Sequence, residues 1–196
     1  MLQLKPPSMD LSAAFLPLAR EFSAAGEDQW LRCDHFTQQD MPAYLARLQQ
    51  VAGREACQTY WVVPEGQAEV VAVTTLHTHL PNPELALRGH IGFRVRPSLR
   101  RRGIGTAAVG LTLDRAARDG LPTVLMVCLQ DNLPARRVIH RHGGRHVDDA
   151  MLAGFTLQQF QVEAGGPARG PLKSGFPQHP PAWPFHPRQA LPRSSI

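Results

Sequence analysis

The chain has 196 residues, 43% hydrophobic and 19% charged, with a formal charge of +5. That length suits one compact domain of roughly 150 to 165 residues plus an appendage, above the size at which a core becomes marginal. Arg169, Lys173, Arg188 and Arg193 fall in residues 164–196, which hold no acid, so the remainder is nearly neutral and lacks the distributed basic face of a nucleic-acid-binding domain.

In chain order, Leu2 to Lys5 reads as a short strand ended by Pro6-Pro7. Ser8 or Asp10 can then cap a helix carrying Leu11, Phe15, Leu18 and Phe22 at helical spacing and ending at Gly26, with Pro17 expected to kink it or delay its start. A second helix, capped by Asp40, turns Met41, Tyr44, Leu45, Leu48 and Val51 inward and stops near Gly53. Residues 59–63 and 70–76, rich in β-branched and aromatic side chains around Pro64-Glu-Gly-Gln67, predict an antiparallel hairpin. A loop over 77–88 leads to a strand at 89–96. The pattern then changes to a helix from about Ile104 to Arg118, a buried apolar strand over 123–129 and a helix over Pro134–His142 closed by Gly143-Gly144. Two strands, 145–151 and 155–162, complete a domain ending near Ala164. Residues 165–196, rich in Pro, Gly, Arg and His, are expected to remain disordered because Phe176, Trp183 and Phe185 are too sparse to bury a core.

Cys33, Cys57 and Cys128 are odd in number and unclustered, which argues against a disulfide framework or a thiolate metal site and suits a reducing cytoplasm. The first residues lack the pattern of a signal peptide, and no apolar run is long enough to span a bilayer. A soluble, cytoplasmic monomer or homodimer with no membrane or nucleic-acid partner is expected.

Residues 89–110 concentrate the chemistry. Ile91, Phe93 and Val95 alternate on one strand face, Pro97 stops the ladder, and Gly103 and Gly105 permit a turn whose N–H groups share one concavity. A helix starting at about Ile104 adds unpaired N–H groups and the positive end of its dipole, and Arg100, Arg101 and Arg102 add full charges, so a phosphate-bearing ligand is expected.

Arg100-x-x-Gly103-x-Gly105 after Val95-x-Pro97, with strand 123–129, Asn132-x-x-Ala135 and Gly143-Gly144 downstream, resembles the GNAT N-acetyltransferase superfamily. Val138-Ile-His140, Thr59-Tyr-Trp61 and Gly89-His-Ile-Gly92 are similar to a subgroup of uncharacterised bacterial acetyltransferases. The resemblance implies an α/β (α+β) fold with a mixed, mostly antiparallel central sheet of about six to seven strands flanked by helices. It also implies an acetyl-CoA-dependent N-acetyltransferase that uses no metal and acts on a primary amine of a small molecule or peptide in a ternary complex. By the same resemblance, Phe93, Arg94 and Val95 run beside the pantetheine, Arg100, Arg101, Arg102, Gly103, Ile104, Gly105 and Thr106 hold the pyrophosphate, and Asn132 reaches the pantetheine arm or caps its helix.

Ile139 stands where many members of that superfamily place a proton-donating tyrosine. Two residues are candidates for proton transfer: His90 as general base on the core strand, and Cys128 as donor on the buried strand, beside the alternatives of a sheet histidine and an inert packed thiol. The missing tyrosine also keeps open a catalytically weak acyl-CoA-binding or sensing domain. Gly103-x-Gly105-x-x-Ala108 satisfies a dinucleotide fingerprint literally, but Ser98 to Arg102 separates it from its strand and no βαβ array precedes it. The spacing of His77-x-His79 and His140-x-His142 supplies no third convergent ligand for a metal.

Overall fold

The computed structural model describes residues 1–27 and 36–165. The expected tail from Gly166 onward and Cys33 lie outside those residues. Strands β1 (Leu2–Lys5), β2 (Cys57–Pro64), β3 (Ala72–His77) and β4 (Ile91–Val95) form one antiparallel sheet in that order. A second antiparallel sheet holds β5 (Thr123–Leu129), β7 (Phe155–Glu163) and β6 (Arg145–Leu152), with β7 in the middle. The expected central sheet is therefore present as seven strands in two parts, which meet where His90 N–H donates to Leu125 C=O at 2.7 Å.

Alternation along the strands builds a core on each side of the first sheet. Trp61, Val63 and Val73 face α1 (Ser12–Ala24) and α2 (Met41–Glu55), where Phe15 stacks on Trp61 with centroids 4.5 Å apart. On the other side, Tyr60, Leu76 and Ile91 join Val124, Met126 and Phe160 under α4 (Ile104–Arg118) and α5 (Leu133–Arg141). A one-turn helix, α3 (Pro83–Ala86), sits in the loop before β4, with the Asn82 side chain accepting from Leu85 N–H at 2.9 Å.

Two helix starts differ from expectation. Pro17 lies within α1 without delaying it: its missing N–H removes the bond to Ala13 C=O in the second turn, and the 3-10 turn Met9–Leu11 leads into the helix. Thr37, not Asp40, opens the second helical segment, and Asp40 closes a capping box by accepting from Thr37 N–H at 2.8 Å. Past Gly53, α2 continues to Glu55 and ends at Ala56, whose φ is 47°.

The end of α1 fixes the turn between β4 and α4. Glu21 accepts from Arg96 Nε at 2.8 Å, from Ser98 N–H at 2.9 Å and from the Ser98 hydroxyl at 2.9 Å, while Arg96 also pairs with Glu69 at 2.6 Å. Burial alone would raise the Glu21 carboxyl, but the Ser98 amide and hydroxyl and the Arg96 guanidinium outweigh it and hold it below the usual carboxylate value. Replacing Glu21 with Ala removes the bonds to Ser98 and leaves Arg96 with Glu69 alone. The variant should lose about 2 kcal/mol in urea denaturation, and a loss within error of zero would show that water replaces the carboxylate freely.

Candidate active site

Strand β4 is paired on one edge. Arg96 N–H reaches Val71 C=O at 3.0 Å and His77 N–H reaches His90 C=O at 2.7 Å, and between them Gly92 stands opposite Thr75 and Arg94 opposite Val73. By antiparallel alternation, the backbone groups of Gly92 and Arg94 go to β3, whereas those of Ile91, Phe93 and Val95 turn to the edge from which β5 departs. The side chains of Phe93 and Val95 pack on the α4 side, and Arg94, opposite Val73, lies on the α1 side. The three residues expected along the coenzyme are thus divided between two faces. Burial pushes the Arg94 guanidinium down to about 10, which leaves it charged at neutral pH.

Beyond β4 the chain makes the 3-10 turn Pro97–Leu99 and reverses through Arg101 and Gly103, whose φ values are 66° and 77°. The first bond of α4 runs from Ala107 N–H to Gly103 C=O at 3.0 Å. The N–H groups of Ile104, Gly105 and Thr106 therefore have no acceptor within the helix, and no side chain caps it. A Cβ on Gly105 would stand 3.3 Å from both the Phe93 ring and Val95 Cγ2. Gly105 is needed for the close approach of helix to strand rather than for freedom at the turn.

The three arginines before this cradle differ in role. Arg100 is committed: it pairs with Glu27 through both terminal nitrogens at 2.9 and 2.6 Å and donates from Nε to Val95 C=O at 3.1 Å. Arg101 and Arg102 are exposed and carry no ion pair among the described residues. At the end of β5, Asn132 caps α5 by accepting from Ala135 N–H at 3.1 Å. A cavity of about 420 Å³ opens there between Leu129, Asp131, Arg136 and the β6–β7 turn at Gly154 and Phe155, and Arg136 Nε is buried against it without a partner.

The acetyltransferase (GNAT) family model matches residues 18–143. The chain belongs to the GNAT acetyltransferase family. None of the curated proteins matches its sequence. Among solved structures it is similar to a Salmonella typhimurium acetyltransferase that modifies the N-terminal serine of ribosomal protein L7/L12, at 17% identity and TM-score 0.60, covering 83% of this chain and 94% of that one. Mycobacterium smegmatis RimJ in complex with CoA-disulfide is similar at 19% identity and TM-score 0.61, over 83% and 82% of the two chains. The microcin C7 self-immunity acetyltransferase MccE, in complex with acetyl-CoA and AMP, is similar at 12% identity and TM-score 0.61, over 83% and 92%.

This GNAT chain is an acetyl-CoA-dependent N-acetyltransferase, and its two expected proton-transfer residues are placed differently from a general acid–base pair. His90 Nδ1 accepts from Leu125 N–H at 2.9 Å, so the neutral ring carries its proton on Nε2 and the lone pair a base would use is occupied. Burial pushes the His90 pKa down, and His77 and His79 add to it. Cys128 is buried in the cluster that holds Ile139, and burial pushes its thiol up to about 11, which keeps it protonated and excludes it as a base. Ile139 is 1% exposed, and a Cβ on Gly144 would overlap its side chain, so the usual tyrosine position is filled by core. The paired histidines are absorbed by helix ends: His140 Nδ1–H donates to Gly144 C=O at 3.2 Å, and His142 Nε2–H donates to Thr106 C=O at 2.9 Å. Among the described residues, no group of three metal-ligating side chains converges and no helix is long and apolar enough to cross a membrane.

Glu21 and Glu27, which shape the turn from more than seventy residues away, escaped the sequence reading. Glu21 stands beside Arg20 in the last turns of α1 and Glu27 just past its end, with nothing local to mark either as a partner of the turn.

His77 and His90 are both lowered by burial from an ordinary histidine value of 6.5. Above pH 6.5 their contribution to stability is complete. Below it the unfolded chain binds protons that the folded chain refuses, so stability must fall as pH drops toward the folded-state values. Thermal melts between pH 7.5 and 5 should show a declining midpoint, shallower in His90→Asn. A midpoint that holds steady would contradict the neutral, buried assignment.

Proposed function

We infer that acetyl-CoA lies with its pyrophosphate on the N–H groups of Ile104, Gly105 and Thr106, flanked by Arg101 and Arg102, and with its pantetheine along the free edge of β4. The observation that carries this reading is the coincidence of three uncapped helical N–H groups with an unpaired strand edge next to them. The N–H of Phe93 or Val95 would polarise the thioester carbonyl. Arg100 supports the turn through Glu27, and Arg94 contributes through the α1 face rather than along the coenzyme.

The acceptor is a primary amine that attacks the thioester carbon directly in the ternary complex. A C–N bond forms, the C–S bond breaks, the amine releases a proton to water, and the CoA thiolate takes one from water. With His90 Nδ1 committed and Cys128 protonated, the amine must arrive as free base. At pH 7 about one in ten α-amino groups of pKa about 8 is free base, against about one in 2,500 lysine side chains of pKa about 10.4. This favours an α-amine of a peptide or small molecule.

The second reading, an acyl-CoA-binding domain with weak catalysis, is favoured by Ile139 in the core. An amine panel with acetyl-CoA, read by release of free CoA thiol, separates the two. The enzyme reading expects turnover with α-amines ahead of ε-amines, and binding without turnover on any amine favours the alternative.

Gly105→Glu is a poor test of the cradle, because its side chain would strike Phe93 and Val95 before any phosphate. Arg101→Glu with Arg102→Glu alters exposed charges only. Acetyl-CoA binding by calorimetry should weaken on the order of tenfold to a hundredfold in the double variant, with a stronger effect at low salt. Unchanged affinity in the folded variant removes the pyrophosphate from this turn.

A further inference from the structure

The junction between the two sheets is irregular. His90 N–H donates to Leu125 C=O at 2.7 Å, but Leu125 N–H returns to the imidazole Nδ1 of His90, at 2.9 Å, rather than to a backbone oxygen. In a regular parallel pair that amide would reach a β4 carbonyl, with the strands about 4.8 Å apart. Here the imidazole takes that amide instead, while the backbones of His90 and Leu125 stay within hydrogen-bond distance of each other.

The residues on each side of the bridge show where the strands part. Gly89, with φ of 73°, is pressed against β5: a Cβ there would stand 2.7 Å from Leu125 O and 3.2 Å from Val127 N. After His90, β4 and β5 belong to different sheets. Backbone pairing between the two strands therefore ends at the residue whose ring replaces the ladder, while Ile91 and Phe93 still pack with Val124 and Met126.

We propose that His90 is a positioning residue whose neutral imidazole takes the Leu125 amide out of the ladder, a side-chain prop that sets where β4 and β5 part and so the base of the cleft for the pantetheine arm. The function of the prop rests on the coenzyme reading above, whereas the prop itself stands on the junction alone. It requires the unprotonated ring, since an imidazolium has no lone pair on Nδ1. The titratable groups facing the ring are His77 on β3 and His79 just beyond it, with Glu55 and Arg88 acting on His77 behind them.

The test compares the native chain with His90→Asn, whose Oδ1 can accept the same amide, and His90→Leu, which keeps bulk but accepts nothing. Leu125 amide exchange, followed by NMR, should stay slow in the native chain and His90→Asn and become at least about tenfold faster in His90→Leu. Acetyl-CoA affinity should remain within about threefold in His90→Asn and weaken on the order of tenfold in His90→Leu, with KM for acetyl-CoA rising and kcat held. Loss of turnover in both variants with unchanged coenzyme affinity would overturn the proposal and restore His90 as a base. If the native chain binds no acetyl-CoA, the coenzyme reading fails separately, and equal Leu125 exchange in all three proteins would overturn the prop. Should His90→Leu not fold, Leu125 exchange in the native chain across the imidazole titration reads the same bridge. Base- and acid-catalysed intrinsic rates being accounted for, protection should drop as the ring is protonated, and constant protection would overturn the proposal.

Discussion

Between β4 and β5 the chain forgoes a ladder of backbone hydrogen bonds, and the functional geometry depends on that gap. Unpaired strand edges are costly inside a protein because their N–H and C=O groups lose water without gaining partners. Here the groups without a strand partner are those of Ile91 and Phe93 and the N–H of Val95, whose C=O is taken by Arg100, directly before a helix whose first N–H groups also have no internal acceptor. Two kinds of unsatisfied backbone donor thus line one path, and an extended ligand with a phosphate at one end and amides along its length satisfies both. The single bridge at His90 and Leu125 keeps the two sheets one body while leaving that path open.

The cations around the turn are divided by three acids, Glu21 in α1, Glu27 just past its end and Glu69 before β3. Arg96 and Arg100 are both held by carboxylates, from Glu21 and Glu69 and from Glu27, and both bring α1 against the loop. Half-buried pairs of this kind contribute geometry more reliably than stability. Their effect is to fix the backbone of the turn without adding net positive charge, so in the proposed coenzyme site the potential for phosphate would come from exposed Arg101 and Arg102 and from the helix start. A turn with all its arginines free would attract anions from more directions and present its N–H groups less rigidly.

What was legible in the sequence was local. Alternation in residues 91–95, the glycines of the turn and the apolar face of Ile104–Arg118 each depend on neighbours within a turn or two, and they appear where expected. The seven strands were countable, but their partition into sheets was not, because it depends on one side chain taking a backbone position. His90 looked like a base because its pKa near neutrality and its place on the core strand fitted that task; which ring nitrogen meets Leu125 is a fact of tertiary structure. Gly105 looked permissive when it is in fact close-packed, and Arg94 looked like a coenzyme contact when register turns its backbone to β3. Asp40 and Thr37 show the same limit at short range, since both can cap and only the 3-10 turn between them decides which does.

The remaining step concerns how such a site can accelerate transfer with so little acid–base machinery. Holding amine and thioester in attack geometry can be worth roughly 7–11 kcal/mol, and an aimed backbone N–H on the developing oxyanion roughly 3–4 kcal/mol more. A positioned base adds on the order of a hundredfold to ten-thousandfold, the smaller share. The demand that a missing base imposes falls on the acceptor, which must supply its own lone pair, and that demand is light for an amine already partly deprotonated at neutral pH. In the proposed reaction a fixed cleft and a weakly basic acceptor would therefore be matched: the cleft would supply the orientation, and low amine basicity would remove the need for a base that His90, with Nδ1 taken by the Leu125 amide, does not provide.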